Sequence, residues 1–226
     1  MERQSAGNLP KLFVLGDSIS MHYGPFLKAQ LNDFCDYERK MAPAGETADL
    51  DSGKGANGGD SSMVLDYLEE RFKEPTFRPD ILLMNCGLHD IKTDPAVGTR
   101  QILEADYLAN LTRIVELLAT TDTQAIWVRT THCVDAIHNS ISTTFNRYIA
   151  DLEAYNRIAD GVMIAAGIPM IDLHRFTCNL GEDADLFRDH VHFHPAVCAQ
   201  QAAFIAGCIV TMLGSRQLRG ATASGA

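Results

Sequence analysis

Three residue types that together cleave esters stand near the two ends of this chain. Ser18 follows a buried-strand pattern in KLFVLGDSIS, Lys11 to Ser20, and His192 follows Asp189 by three residues in FRDHVHFHP. A serine hydroxyl is a weak nucleophile until an imidazole takes its proton. The imidazole does so best when a carboxylate orients its ring and stabilises the imidazolium. Ser18 as nucleophile, His192 as general base and Asp189 as its partner would make such a set. Ser18 would gain further where a helix begins, because unpaired N–H groups and the positive dipole end favour developing negative charge. The same position suits Asp17 or Ser18 as a plain helix N-cap, and Gly-Asp-Ser alone does not separate the two readings. No Gly-x-Ser-x-Gly surrounds Ser18, so the α/β-hydrolase elbow is not the template. His190, His192 and His194 alternate along DHVHFHP, which leaves a metal-binding segment as a rival reading, without a second ligand cluster at diagnostic spacing.

For the two ends to meet, the intervening elements must form one sheet. Short apolar runs alternate with longer amphipathic ones. The pattern predicts a strand near Lys11–Gly16, a helix near Pro25–Phe34, a weak strand near Tyr37–Met41 and a helix near Ser61–Phe72. A buried strand is expected at Ile81–Gly87, a helix at Glu104–Ala119 and a strand at Ala125–Thr130. A long helix near Tyr148–Ala166 is closed by Gly167, then come a strand at Ile168–Leu173 and a last helix near Ala196–Leu213. Such βα alternation implies an α/β sandwich with about five parallel strands and helices on both faces. Ligands bind such sheets beyond the carboxyl ends of the strands. The residues that follow the strands are Asp17–Ser18, the Gly-rich KGANGGDSS (Lys54–Ser62), Leu88-His89-Asp90 and Thr131-His132. Least structure is expected at Thr47–Asp60, Thr93–Arg100, Cys133–Thr144 and a fraying tail, Ser215–Ala226.

A chain of 226 residues can bury one substantial core, so a single domain over residues 1–226 is expected. Hydrophobic residues make up 46% and charged residues 21%, the balance of a soluble globular enzyme rather than a disordered chain. A formal net charge of -10 without a Lys/Arg cluster argues against a nucleic-acid partner. MERQSAGNLP has no apolar core of a signal peptide, and nowhere do eighteen apolar residues run together. The expectation is therefore a cytoplasmic protein without a membrane span, or a secreted one if the chain is trimmed. The six cysteines lack CxxC spacing and read as buried free thiols.

Four blocks carry a family resemblance: GDSIS (Gly16–Ser20), GGDSS (Gly58–Ser62), NCGLHD (Asn85–Asp90) and DHVHF (Asp189–Phe193). In order and spacing they resemble the SGNH, or GDSL-type, hydrolases. The resemblance implies a flavodoxin-like three-layer sandwich in which Ser18, Asp189 and His192 form the catalytic triad. It also implies an oxyanion hole from the Ser18 and Gly59 N–H groups and a side chain of the third block. There the sequence departs from the family, because its Gly-x-Asn-Asp reads Gly87-Leu88-His89-Asp90. Histidine can donate to an oxyanion as a carboxamide does, or His89 is structural and the hole has two donors. Asp90 is expected to tie the loop down by accepting backbone N–H groups. GDSISMHYGPFL, WVRTTH and YNRIADGVMIAAGIPMIDLH further resemble a carbohydrate-esterase branch. That implies removal of short acyl groups such as acetyl from sugars, with Tyr23, Arg129 and His132 in the substrate pocket. The reading is thus a serine esterase that needs no cofactor or metal and acts on a small-molecule or acylated carbohydrate ester. A thioesterase, lysophospholipase or O-acyltransferase on the same scaffold, and a non-catalytic acyl-glycan binding module, are the alternatives.

Overall fold

The computed structural model describes residues 9–42, 53 and 55–223. Five parallel strands form one sheet in the order β2-β1-β3-β4-β5. They are β1 (Lys11–Leu15), β2 (Asp36–Arg39), β3 (Ile81–Met84), β4 (Gln124–Val128) and β5 (Met170–Ile171). β1 and β3 are the central strands and read as unbroken apolar runs, FVL and ILLM, because helices cover both of their faces. β2 lies at the edge and alternates between exposed and half-buried residues.

Eight helices connect or follow the described strands: α1 (Ser18–Gln30), α2 (Ser61–Arg71), α3 (Glu104–Ala119), α4 (Asp135–Ile141), α5 (Ile149–Ala165), α6 (Leu173–Cys178), α7 (Asp183–Leu186) and α8 (Pro195–Ala223). The first crossover, β1-α1-β2, runs toward one edge, and the later ones run the other way. Right-handed crossovers therefore place α1 on the face opposite α2, α3 and α5. The packing agrees, since α1 packs on α8 and α8 on α6, while α2 packs on α3 and α3 on α5. The chain reverses direction at β1, so the crevice beyond the ends of β1 and β3 is the topological switch point where such sheets bind ligands.

Several boundaries differ from the sequence expectation for identifiable reasons. α1 starts at Ser18 rather than near Pro25, because the Asp17 side chain accepts the Ile19 N–H at 3.0 Å and caps the helix well upstream of the proline. Cys133–Thr144, expected to be irregular, contains α4. In Thr93–Arg100 the two end residues form an antiparallel bridge. Of the Ser215–Ala226 tail, the part to Ala223 belongs to α8, and residues 224–226 lie outside the described residues. Part of the Thr47–Asp60 expectation, residues 47–52 and 54, lies outside the described residues. No run of eighteen apolar residues exists, yet α8 holds a stretch, Pro195–Ser215, long and apolar enough to cross a membrane by length and composition alone. In the fold its Val197, Ala202, Ile205 and Ile209 are buried in the core.

Candidate active site

Ser18 is the first residue of α1, directly beyond β1. Asp17 does the capping, which leaves the Ser18 hydroxyl free of that duty. Its Oγ lies 3.0 Å from His192 Nε2, across 174 residues of sequence. The other ring nitrogen, His192 Nδ1, lies 2.9 Å from Asp189 Oδ2. A carboxylate only accepts, so Nδ1 carries the proton and the Nε2 lone pair of the neutral ring faces the serine hydroxyl. Asp189 Oδ1 meanwhile accepts the N–H groups of Val191 and His192 at 2.9 and 2.7 Å, which fixes the turn that aims the ring. Burial pushes the Asp189 carboxyl up, but those two N–H groups and the His192 ring outweigh it and hold it at about 2. The carboxylate is therefore ionised throughout the neutral range. A hydroxyl, an imidazole and an anchored carboxylate in this order can activate an oxygen nucleophile.

The Gly-rich loop closes on the same crevice. Gly58 N–H donates to the Gly16 carbonyl at 2.9 Å, and a Cβ there would come within 3.1 Å of that carbonyl, so a side chain would push the two segments apart by a few tenths of an ångström. Gly59 has φ +76°, a backbone region that favours glycine. Its N–H donates to Asn57 Oδ1 at 2.9 Å. That bond assigns the amide oxygen of Asn57, and its Nδ2 then lies 3.4 Å from His89 Nε2. An amide nitrogen only donates, so His89 Nε2 accepts here and the ring proton sits on Nδ1. Asp90 Oδ1 accepts the Ser61 N–H at 2.8 Å and so locks the third block to the start of α2. From the end of β2, Arg39 donates to Ser20 O at 2.9 Å and Ala56 O at 3.1 Å, and Lys40, just beyond the strand, donates from Nζ to the Asn57 carbonyl.

The model of the GDSL-like lipase/acylhydrolase family matches residues 14–199, a span that contains all four blocks and this whole constellation. The chain belongs to that family. Among solved structures it is similar to the lipase/acylhydrolase from Enterococcus faecalis, at 18% identity and TM-score 0.67 over 89% of this chain and 95% of that one. It is also similar to a GDSL-like lipase from Bacteroides thetaiotaomicron, at 14% identity and TM-score 0.64 over 93% of each chain. A third is the psychrotrophic esterase EstA from Pseudoalteromonas sp., at 12% identity and TM-score 0.61 over 90% and 98%. At these identities the structural likeness establishes the fold. No curated protein matches the chain in sequence.

Within this GDSL-like frame the other expected residues have distinct places. Tyr23 is buried in the core. Arg129 pairs with Asp160 at 3.1 Å and Asp172 at 3.5 Å, and His132 Nε2 lies 2.7 Å from Asp183 Oδ1. Tyr23 and Arg129 border a void of only about 10 Å³. The three histidines of DHVHFHP turn to different surroundings: His192 to Ser18, His190 Nδ1 to His138 Nδ1 at 2.6 Å, and His194 to solvent. Sequence reasoning did not single out Asn57 or His22. The His22 ring meets the His192 ring edge to face, with centroids 4.7 Å apart. Burial, and then the His192 charge, push His22 down to about 4, so it is neutral beside the imidazole at neutral pH. The available signal was its spacing, since Ser18 and His22 are four apart and share a face of α1.

Proposed function

We propose that this chain is a serine esterase that hydrolyses carboxylic esters of short acyl groups, such as acetyl, through an acyl-enzyme. The observation that carries the proposal is the hydrogen-bonded series Ser18 Oγ, His192 Nε2, His192 Nδ1, Asp189 Oδ2 at 3.0 and 2.9 Å. In this reading Ser18 Oγ attacks the ester carbonyl while His192 Nε2 takes its proton, and Asp189 stabilises the imidazolium. His192 returns that proton to the leaving alcohol as the tetrahedral intermediate collapses. Water, deprotonated by the same nitrogen, then attacks the acyl-serine, releasing the acid and restoring Ser18. His22, held neutral, adds no second positive charge to the imidazolium. The oxyanion would be received by the N–H groups of Ser18 and Gly59, with the Gly59 N–H shared between Asn57 Oδ1 and the oxyanion, and by the His89 ring. For the His89 ring to donate, its Nδ1–H must turn toward the oxyanion, which gives up the long 3.4 Å contact with Asn57. The acetyl and carbohydrate part of the reading is supported by the likeness of Gly16–Leu27, Trp127–His132 and Tyr155–His174 to carbohydrate esterases.

The Pseudoalteromonas esterase EstA was solved in a form inhibited by monoethylphosphonate, which recommends a phosphonate probe here. A fluorophosphonate is expected to add one mass increment at Ser18, and Ser18→Ala to abolish it. Label retained on Ser20, Ser61 or Ser62 would overturn the assignment. His192→Ala is expected to lower kcat by roughly 10⁴–10⁶, and Asp189→Asn by somewhat less. A panel of p-nitrophenyl acetate, longer esters, acyl-CoA and acetylated sugars separates this reading from a thioesterase or an acyltransferase.

A further inference from the structure

Two histidines and a thiol that the proposed chemistry does not use gather at a second place beside the same sheet edge. His132 lies in the segment following β4, and His174 and Cys178 lie four residues apart on one face of α6. One ligand atom from each falls within 4.8 Å of the other two. The hydrogen bonds around them fix where the ring protons sit. His132 Nε2 faces Asp183 Oδ1 at 2.7 Å, and a carboxylate only accepts, so Nε2 holds the proton and the Nδ1 lone pair points to Cys178 Sγ at 3.5 Å. His174 Nδ1 faces the Thr130 carbonyl oxygen at 3.2 Å, so it is the donor and Nε2 keeps its lone pair.

This is how metal-binding imidazoles are held: one nitrogen donates to a carboxylate or backbone carbonyl, which orients the ring and leaves the other nitrogen to the ion. The spacing of Cys178 Sγ and His132 Nδ1 fits as well. With a thiolate bond of ~2.3 Å and imidazole bonds of ~2.0–2.1 Å, a tetrahedral zinc ion separates its sulfur and nitrogen ligands by about 3.6 Å. The Sγ–Nδ1 distance is 3.5 Å. Cys178 is exposed and His174 half-buried, so an ion has a path from solvent.

We propose that His132, His174 and Cys178 form a binding site for a divalent ion of the zinc class, separate from the Ser18, His192 and Asp189 centre. Two nitrogens and a sulfur select a borderline-soft ion over magnesium or calcium, and a fourth position remains for water or an added ligand. The bound ion joins the segment leaving β4 to α6. Through Asp183 it also braces α7, which leads into the loop carrying Asp189 and His192. The His132 ring already packs against Phe187 and Phe193 of that loop, with centroids 5.0 and 6.2 Å away.

The test is cobalt(II) titration of reduced, chelator-stripped protein, followed by optical absorption. One equivalent of cobalt is expected to give the visible bands of a tetrahedral site and a thiolate-to-cobalt charge-transfer band in the near ultraviolet, displaced by one equivalent of zinc. Cys178→Ser is expected to remove the charge-transfer band, and Asp183→Asn to weaken cobalt binding by roughly 10–100-fold. Both side chains are exposed, so neither variant removes core volume. Ser18→Ala and Cys208→Ser are expected to bind as the parent does. Absence of a charge-transfer band in the parent, or a band unchanged in Cys178→Ser, would overturn the proposal.

Discussion

His89 stands where the family pattern carries asparagine, and a carboxamide lies next to it after all, supplied by Asn57 from the Gly-rich loop. A neutral ring that donates to the oxyanion would add no falling limb to the pH–rate profile as pH rises, whereas a catalytic imidazolium would add one. If the ring turns its donor to the oxyanion, His89→Ala is expected to lower kcat by roughly 10²–10³ with KM little changed. His89→Asn is then expected to recover part of the loss. Steady-state kinetics with p-nitrophenyl acetate decide it, and a near-normal kcat for His89→Ala would leave the oxyanion to the Ser18 and Gly59 amides alone. Asn57 was not legible in the sequence because its meaning lies in a contact spanning 32 residues and in the oxygen it offers to Gly59 N–H.

The longer elements followed from hydrophobic period. Glu104–Ala119 is the helix that the 3.6 spacing of Tyr107, Leu111, Ile114 and Leu118 predicts. The short helices α4, α6 and α7 did not, since four to seven residues carry too little periodicity and owe their form to packing. Asp90 shows how one side chain joins two elements, because it follows β3 and accepts the first N–H of α2. Burial drives its carboxyl up from 3.8 to about 7, with the Ser61 hydrogen bonds opposing, and its Oδ2 is buried without a partner. Between about pH 4 and 7 the folded chain therefore keeps a proton that the unfolded chain has released. Stability falls as pH rises through that window. Asp90→Asn is expected to remove this part of the slope, so that the stability difference between variant and parent shifts in the variant's favour from pH 4 to 7. Urea midpoints across that range measure it, and parallel curves would refute the assignment.

At the scale of the whole molecule, α8 closes the sandwich by packing on α1, the helix that begins with Ser18. Length and composition would also suit its Pro195–Ser215 stretch to a bilayer, but here one side of the helix completes the core. Ile205 is fully buried on that side. Ile205→Ala is expected to cost about 2–5 kcal/mol of folding stability through lost burial and the cavity left behind. Denaturant titration measures that loss, and kcat per fluorophosphonate-titrated site is expected to stay at the parent value.

By itself the sequence determined the βα alternation, because period-2 and period-3.6 patterns are local. It also singled out Ser18, Asp189 and His192, because Gly-Asp-Ser after a buried strand and Asp-x-x-His before a helix are local signals of chemistry. Only the tertiary structure decided what required distant segments to meet. The strand order puts β1 at the switch point, so that Ser18 receives a histidine from 174 residues away. Asp17, rather than the proline, starts α1, since a cap is chosen by where a side-chain oxygen can reach. Arg129 and His132, read as pocket residues, are paired with Asp160 and Asp172 and with Asp183, respectively. Hydrogen bonds and ion pairs depend on a few ångströms and a fixed direction, and chain spacing cannot specify those until the core has packed.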